Sequence, residues 1–396
     1  MPSDRRPSSA SPLFAVVLLA CGVFFGEPGQ AQTSPDKGSE DKLAETIREV
    51  RQAQMDVDEV LDHLGVEAPG TCIEFREWKH LRVRQRRWLE AVRVLAETHP
   101  DELFGWLTGA ERPPSDARKE ALTQRNCLVD EIMRDFIEKG EPRVEIDVGS
   151  VDLDTPKKLR RWAKPYFEKR GRRRQIRNAL TVSYYRSALS QGRIWRRKYL
   201  FYGDSFNRVS EEAAEKCRLK AGATWKPGNK RYETCWKEVL TGSDREREIL
   251  AASSAPGLSR HHWATEFDFF SLSPRDFDDG RERHDEYEWM QKNALGFGFF
   301  QSYRQHTGTY MEERWHWSYY PISQALTEFA SEHRDDVEEH LHGLWDDLRD
   351  RFNAGRAKSH AYFAHIRNNW SPFMFEVFVP NFEGRRRPRH VPFGNR

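Results

Sequence analysis

Apolar residues recur every three to four positions through LAETIREVRQAQMDVDEVLDHLG, a helix-spaced run that ends at Gly65. The same spacing continues through FREWKHLRVRQRRWLEAVRVLAETH, closed by Pro100, and through SDARKEALTQRNCLVDEIMRDFIEKG, where Ser115 can cap and Gly140 can stop a third helix. Residues 42–144 thus read as a helical domain whose simplest role is packing. A further helix start, Thr155 and Pro156, opens the basic stretch TPKKLRRWAKPYFEKRGRRRQIRN. The period then changes. ALTVSYYRS alternates like a strand, and SALSQGRIWRRKYLF returns to helix. PGLSRHHWATEFDFFSLSP reads as a loop entering a strand, and DEYEWMQKNALGFGFF as a helix stopped by glycines with a strand behind it. WHWSYYP gives another strand, ended by Pro321. From Ile322, SQALTEFASEHRDDVEEHLHGLWDDLRDRF is an amphipathic helix, followed by a tail rich in Pro and Arg. The middle of the chain is therefore α+β, flanked by helices.

Composition changes this picture in few places. At 396 residues the chain can bury a sizeable core, and its length suits two or three domains. Sixty-four Lys and Arg nearly balance sixty-two Asp and Glu, so net charge implies neither a nucleic-acid nor a membrane partner. The basic run over 155–178 is most simply a solvated face, and no nucleic-acid function is built on it.

The first residues carry more information. Arg5 and Arg6 precede an apolar run from Leu13 to Phe25, broken only by Cys21 and Gly22, and a polar stretch GEPGQAQTSPDKGSED comes after it. That order describes a secretory signal over residues 1–31 and a linker over 32–41, with an apolar run too short to span a membrane. Leu18, Leu19, Ala20 and Cys21 also resemble a bacterial lipoprotein cut, which would anchor the chain through a lipidated Cys21. The apolar run continuing past Cys21 argues against that cut. Export to the periplasm or cell envelope is the expectation. Cys72, Cys127, Cys217 and Cys235 then suit two disulfides in an oxidising compartment, with three connectivities open. Pairing within regions favours Cys72 with Cys127 and Cys217 with Cys235. Four buried thiols are the plainer alternative, and none has the spacing of a structural zinc site.

Chemistry concentrates in two short segments. His261 and Asp268 are too far apart on an unbroken helix to share one ion, and an odd spacing puts them on opposite faces of an unbroken strand. A shared site needs His261 in a loop and Asp268 on the strand after a bend, which Pro256 and Gly257 permit. His316 from the other strand completes two imidazoles and a carboxylate with a fourth position open, the donor set of a catalytic zinc. Glu313, three residues earlier, is placed as a general base. Other histidines read more plainly: His262 as a neighbour of the site, and His333, His340 and His342 as solvated on a charged helix. The GFGFF glycines read as a turn.

Four segments, in one order, resemble a known family. SRHHWATEFD from Ser259 to Asp268 is similar to the SxHxxGxAxD signature of zinc D-alanyl-D-alanine carboxypeptidases of bacterial cell walls, and ERWH from Glu313 to His316 resembles their ExWH. SYYRSALSQ from Ser183 resembles their SGYRSxxxQ, and WMQKNALGFGF resembles the helix and turn between the two zinc signatures. The family includes the vancomycin-resistance D,D-peptidases and belongs with the lysostaphin and Hedgehog folds.

The resemblance implies an α+β fold in which a small antiparallel sheet carries a zinc site with helices packed on it, over residues 145–321. An insertion near 200–250 interrupts that domain, the helical domain precedes it, and C-terminal helices with a basic tail fill 322–396. It implies zinc held by His261, Asp268 and His316, with Glu313 as general base and Arg186 facing the substrate carbonyl as negative charge develops. Ser259 and Ser187 become substrate-contacting hydroxyls, and Trp315 shapes the pocket. The implied activity is an exported zinc metallopeptidase that hydrolyses peptidoglycan stem peptides, removing a terminal D-alanine. Cross-link endopeptidase action and a non-catalytic peptidoglycan- or peptide-binding protein that keeps the fold are the alternatives, with a glycan-binding scaffold as a third.

The chain departs from the pattern at four places. Ala264 stands where the family has glycine, Glu266 where it has alanine, Tyr184 where it has glycine and Arg314 where it has proline. Glu266 shares a strand face with Asp268, so it either adds charge near the metal or marks a rebuilt pocket.

Overall fold

Two of the long helix-spaced runs fold as two helices each, and the breaks have local causes. The first run becomes helices Lys37–Ala53 and Val57–His63. Gln54 between them takes φ 52, and Asp56 starts the second helix with a capping box, its side chain accepting from the Glu59 N–H while Glu59 accepts from the Asp56 N–H. The C-terminal run likewise becomes Tyr320–Glu332 and Arg334–Asn353, turning at His333. Pro100 comes after the helix Trp78–Thr98 and opens the next one, Pro100–Thr108, where a missing N–H costs nothing. Ser115 is the first residue of helix Ser115–Glu138.

This computed structural model describes residues 37–66, 68–138, 181–203, 205–251, 253–281, 283–304, 312–355 and 362–364. The signal stretch, the basic run over 155–178 and the C-terminal tail lie outside them. The first helix begins inside the expected linker, at Lys37. The chain divides into two units between Ala44 and Glu45, and the sheet with its surrounding helices belongs to the second.

The sheet is small and antiparallel, with β1 (Thr181–Ser183), β4 (Glu266–Phe269), β6 (His316–Tyr319) and β5 (Phe299–Gln301) in that order. Asp268 pairs with His316 and Glu266 with Ser318, so strand alternation puts these four side chains on one face. Every residue of β4 and β6 is buried, and helices cover what the sheet does not. A separate hairpin, β2 (Phe206–Arg208) and β3 (Thr224–Trp225), lies in the expected insertion. It packs on Phe201 and Trp236, and the Cys217–Cys235 disulfide closes the insertion. Cys72 pairs with Cys127, so both disulfides follow the within-region pairing.

The N-terminal helices are built into the sheet. Buried Glu120 accepts from Arg84 Nε (3.0 Å), Trp88 Nε1 (3.0 Å) and the hydroxyl of Tyr319 on β6 (2.7 Å). Trp106 and Trp263 exchange indole bonds, Trp106 Nε1 to the Trp263 carbonyl and Trp263 Nε1 to that of Leu107. Helix Pro100–Thr108 ends at Gly109, whose φ of 74 suits glycine and whose Cα lies against a buried imidazole: a Cβ there would fall 2.4 Å from His262 Cγ. Gly109→Ala therefore combines a left-handed backbone with a clash, and urea unfolding should show a loss of about 2 kcal/mol or more. Unchanged stability would mean that the His262 ring has room to move.

Candidate metal centre

A 3-10 turn, Arg260–Trp263, carries the first candidate ligand, and the bend after it lets both signature residues meet. Ala264, where the family has glycine, closes the turn at φ 57, so this chain keeps the left-handed conformation with an alanine, at a local cost of about 1 kcal/mol. Strand β4 then delivers Asp268, and its partner β6 begins with His316.

His261, Asp268 and His316 are buried, and one ligand atom from each lies within 4.8 Å of the others. His261 Nε2 is 3.3 Å from Asp268 Oδ2, and His316 Nδ1 is 3.1 Å from Asp268 Oδ1. The outer nitrogens are already engaged. His261 Nδ1 donates to the Tyr184 carbonyl (2.7 Å), and His316 Nε2 donates to Glu266 Oε2 (3.0 Å). Each bond orients its ring and turns the inner nitrogen toward Asp268, the outer-shell arrangement typical of metal-bound histidines. The three residues therefore fit a divalent metal.

Charge around the triad points the same way. Burial alone would push the His316 imidazolium down, but the Asp268 and Glu266 carboxylates on its two nitrogens outweigh that and lift it to about 10. Burial also raises Asp268 by itself, yet His261 and His316 hold it well below the usual carboxylate range. The carboxylates thus favour positive charge at His316.

Glu266 is the departure that the structure explains. It is wholly buried, its Oε1 accepting from Arg260 Nε (2.9 Å), the Ser318 hydroxyl (2.6 Å) and the Thr265 hydroxyl (3.1 Å). Its Oε2 accepts from His316 and from Ser302 (3.1 Å). Burial favours the neutral acid, but Arg260, His316 and Ser318 prevail and hold the group at about 2. Glu266 does not face the triad's inner side; it stands behind His316 and sets its orientation.

Glu313 and Arg186 complete the arrangement. Glu313 Oε2 is 3.5 Å from His316 Nδ1. Its backbone is fixed at both ends, the N–H donating to the Tyr303 carbonyl (2.9 Å) and the carbonyl accepting from Gln301 Nε2 (3.1 Å). Burial pushes its carboxyl up to about 7, against His316 and with Asp268. Arg186 donates to Gln191 Oε1 (2.7 Å) and Ser183 Oγ (2.9 Å), and its backbone N–H bonds the His261 carbonyl. Burial lowers its pKa while Asp268 and Glu313 oppose the shift, and a guanidinium stays charged.

All five line one cavity of about 710 Å³, together with Ser259 and Trp315. Ser187 does not line it; its hydroxyl oxygen accepts from the Ser190 N–H as a helix N-cap. Tyr184 is also absent from the lining, because its ring stacks on Phe267 at 4.9 Å and only its carbonyl serves the site. His262 is an anchor, donating from Nδ1 to the Arg186 carbonyl (2.5 Å) and accepting the Gly257 N–H at Nε2 (3.0 Å), and burial depresses it to about 3. His340 stacks on Phe104, and His333 on Phe329. Sequence reasoning missed Tyr303, whose ring meets that of His316 at 4.7 Å, and Lys198, another lining residue. Lys198 had a signal: it falls seven residues after Gln191 on one helix face.

No curated protein and no solved structure matches this chain. Residues 166–322 match the family model of VanY, described as D-alanyl-D-alanine carboxypeptidase, the same family that the four sequence motifs resemble.

Proposed function

We propose that the protein is a zinc peptidase of the cell envelope that removes a terminal D-alanine from peptidoglycan stem peptides. One observation carries the reading: a triad of His261, Asp268 and His316 shares one cavity with Glu313 and Arg186, within the segment that matches the carboxypeptidase family. Two imidazoles and one carboxylate suit zinc. Two disulfides support an oxidising compartment, as the N-terminal signal stretch does.

His261, Asp268 and His316 would hold the zinc, which when bound would supply Lewis acidity to a water and to the scissile carbonyl. The chain's own groups do the rest. Glu313, beside His316 and facing the cavity, takes the proton of the attacking water and passes it to the leaving amine. Arg186 faces the carbonyl oxygen as negative charge builds on it. Its two bonds, to Gln191 and Ser183, fix the guanidinium before substrate arrives, so little reorganisation remains for the reaction itself. Glu266 and the Tyr184 carbonyl hold the two imidazoles in register.

Glu313→Gln keeps the shape and removes the proton carrier. D-Alanine release from an acyl-D-Ala-D-Ala peptide should fall by roughly two to four orders of magnitude while zinc content stays at wild-type level. Equal rates in the two proteins would remove Glu313 from the mechanism. Chelation should abolish release and added zinc should restore it; activity that survives chelation contradicts a metal-dependent reaction.

Glu266→Gln tests the support behind the ligand. It keeps an acceptor for Arg260 and Ser318 but weakens the hold on His316 Nε2, so zinc affinity in competition with a chromophoric chelator should drop about ten- to a hundredfold. Affinity equal to wild type would make Glu266 a packing residue only.

A further inference from the structure

The cavity extends beyond the metal centre along the helix Ala188–Tyr199. Gln191, Ile194 and Lys198 lie on one face of that helix and all line it. Gln191 is the residue that fixes Arg186, so this face begins at the reaction centre. Seven residues at 1.5 Å each put the Lys198 backbone about 10 Å further along the helix, and its ammonium reaches the Ser253 hydroxyl, next to the Ser254 carbonyl that Gln191 holds. The far wall comes from the disulfide-closed insertion, through Phe206, Asn207 and Arg208 of β2.

Charge is distributed unevenly along this cavity. Its lining carboxylates, Asp268 and Glu313, both belong to the metal centre. Away from it the charged lining residues are Arg197, Lys198, Arg208 and Arg275. Among the described residues the Lys198 ammonium meets only neutral oxygens, Asn207 Oδ1 at 3.0 Å and the Ser253 hydroxyl. Burial, with Arg186 and Arg197 nearby, pushes it down to about 8 against the opposing pull of Glu313, so it remains largely protonated at neutral pH, and no carboxylate among the described residues hydrogen-bonds or ion-pairs with it. The Arg197 and Arg208 side chains add positive charge at the exposed rim.

We infer that Lys198, backed by Arg208 of the insertion, is a specificity subsite for a second carboxylate on the peptide substrate, on the N-terminal side of the scissile bond. The inference rests on the peptidase reading above and deepens it. A carboxypeptidase has a single residue beyond the scissile bond, so the second carboxylate belongs to the N-terminal part of the substrate. The subsite selects acidic peptides.

Peptides acetyl-Glu-Gly-D-Ala-D-Ala and acetyl-Gln-Gly-D-Ala-D-Ala, and a pair with the acidic or amide residue moved next to the D-Ala-D-Ala, separate charge from shape. Wild-type zinc protein should favour the acidic member of at least one pair about tenfold in kcat/KM, through KM, the size of one charge-assisted hydrogen bond. Lys198→Met should erase that preference, read as the ratio of acidic to amide peptide within each protein, and Lys198→Arg should keep it. Calorimetric binding of the same peptides to zinc-loaded Glu313→Gln, with and without Lys198→Met, reads the preference without turnover. If no peptide is cleaved by wild type but the acidic preference in binding depends on Lys198, the peptidase reading fails and the subsite stands. An equal preference in wild type and Lys198→Met, or none in wild type, overturns the subsite. So does a Lys198→Met effect confined to discrimination between free and amidated C-termini, since that would place Lys198 on the terminal carboxylate.

Discussion

A carboxylate with no solvent exposure has to be met on every side, and Glu266 is the point at which the fold answers that demand. Arg260, from the turn that carries His261, supplies the counter-charge. Ser318 from β6 and Ser302, just after β5, supply hydroxyls, and His316 supplies an N–H. Turn, sheet and ligand are thereby locked to one buried charge. Removing one partner of such a pair typically costs about 3 to 5 kcal/mol, because the other is left uncompensated. An alanine in this position would need none of these partners. With Glu266 the space behind His316 holds a buried charge, and that charge requires Arg260 beside His261.

The metal signatures were legible in sequence because their chemistry restricts residue type and spacing. His261, Asp268, His316, Glu313 and Arg186 come together as expected, with His261 on a turn and Asp268 and His316 opposed across two strands. Helix boundaries were less legible. The apolar spacing runs through Gln54 and His333 without interruption, and only the backbone shows that the chain turns there. Pro100 looks like a terminator, yet the same missing N–H suits the first turn of the following helix. Polar support was least legible of all. Ser187 as a cap and the Tyr184 carbonyl as the acceptor for His261 depend on where a residue lies in three dimensions, and composition carries no trace of that.

The helices ahead of the sheet acquire a role through packing. Gly109 closes its helix against His262, and His262 holds the Arg186 carbonyl while Arg186 holds that of His261. The Ala188 N–H bonds back to the Gly109 carbonyl, so the cap of one helix fixes the start of the helix that carries Gln191 and Lys198. Trp106 and Trp263 clamp the same turn from behind. The N-terminal helices supply no residue to the triad, yet they set the height of both its turn and its arginine.

Most of the bonds that orient the triad lie beneath the cavity floor, in buried contacts among the N-terminal helices, the turn and the sheet, while Arg186 is also held from the cavity wall by Gln191. The rest of the cavity wall comes from the helix face ending at Lys198 and the hairpin of the insertion. The insertion has its own aromatic cluster around Trp225 and Trp236 and its own disulfide, so its packing does not draw on the sheet's core. A hairpin with its own support can therefore change without disturbing the packing that holds His261, Asp268 and His316 together.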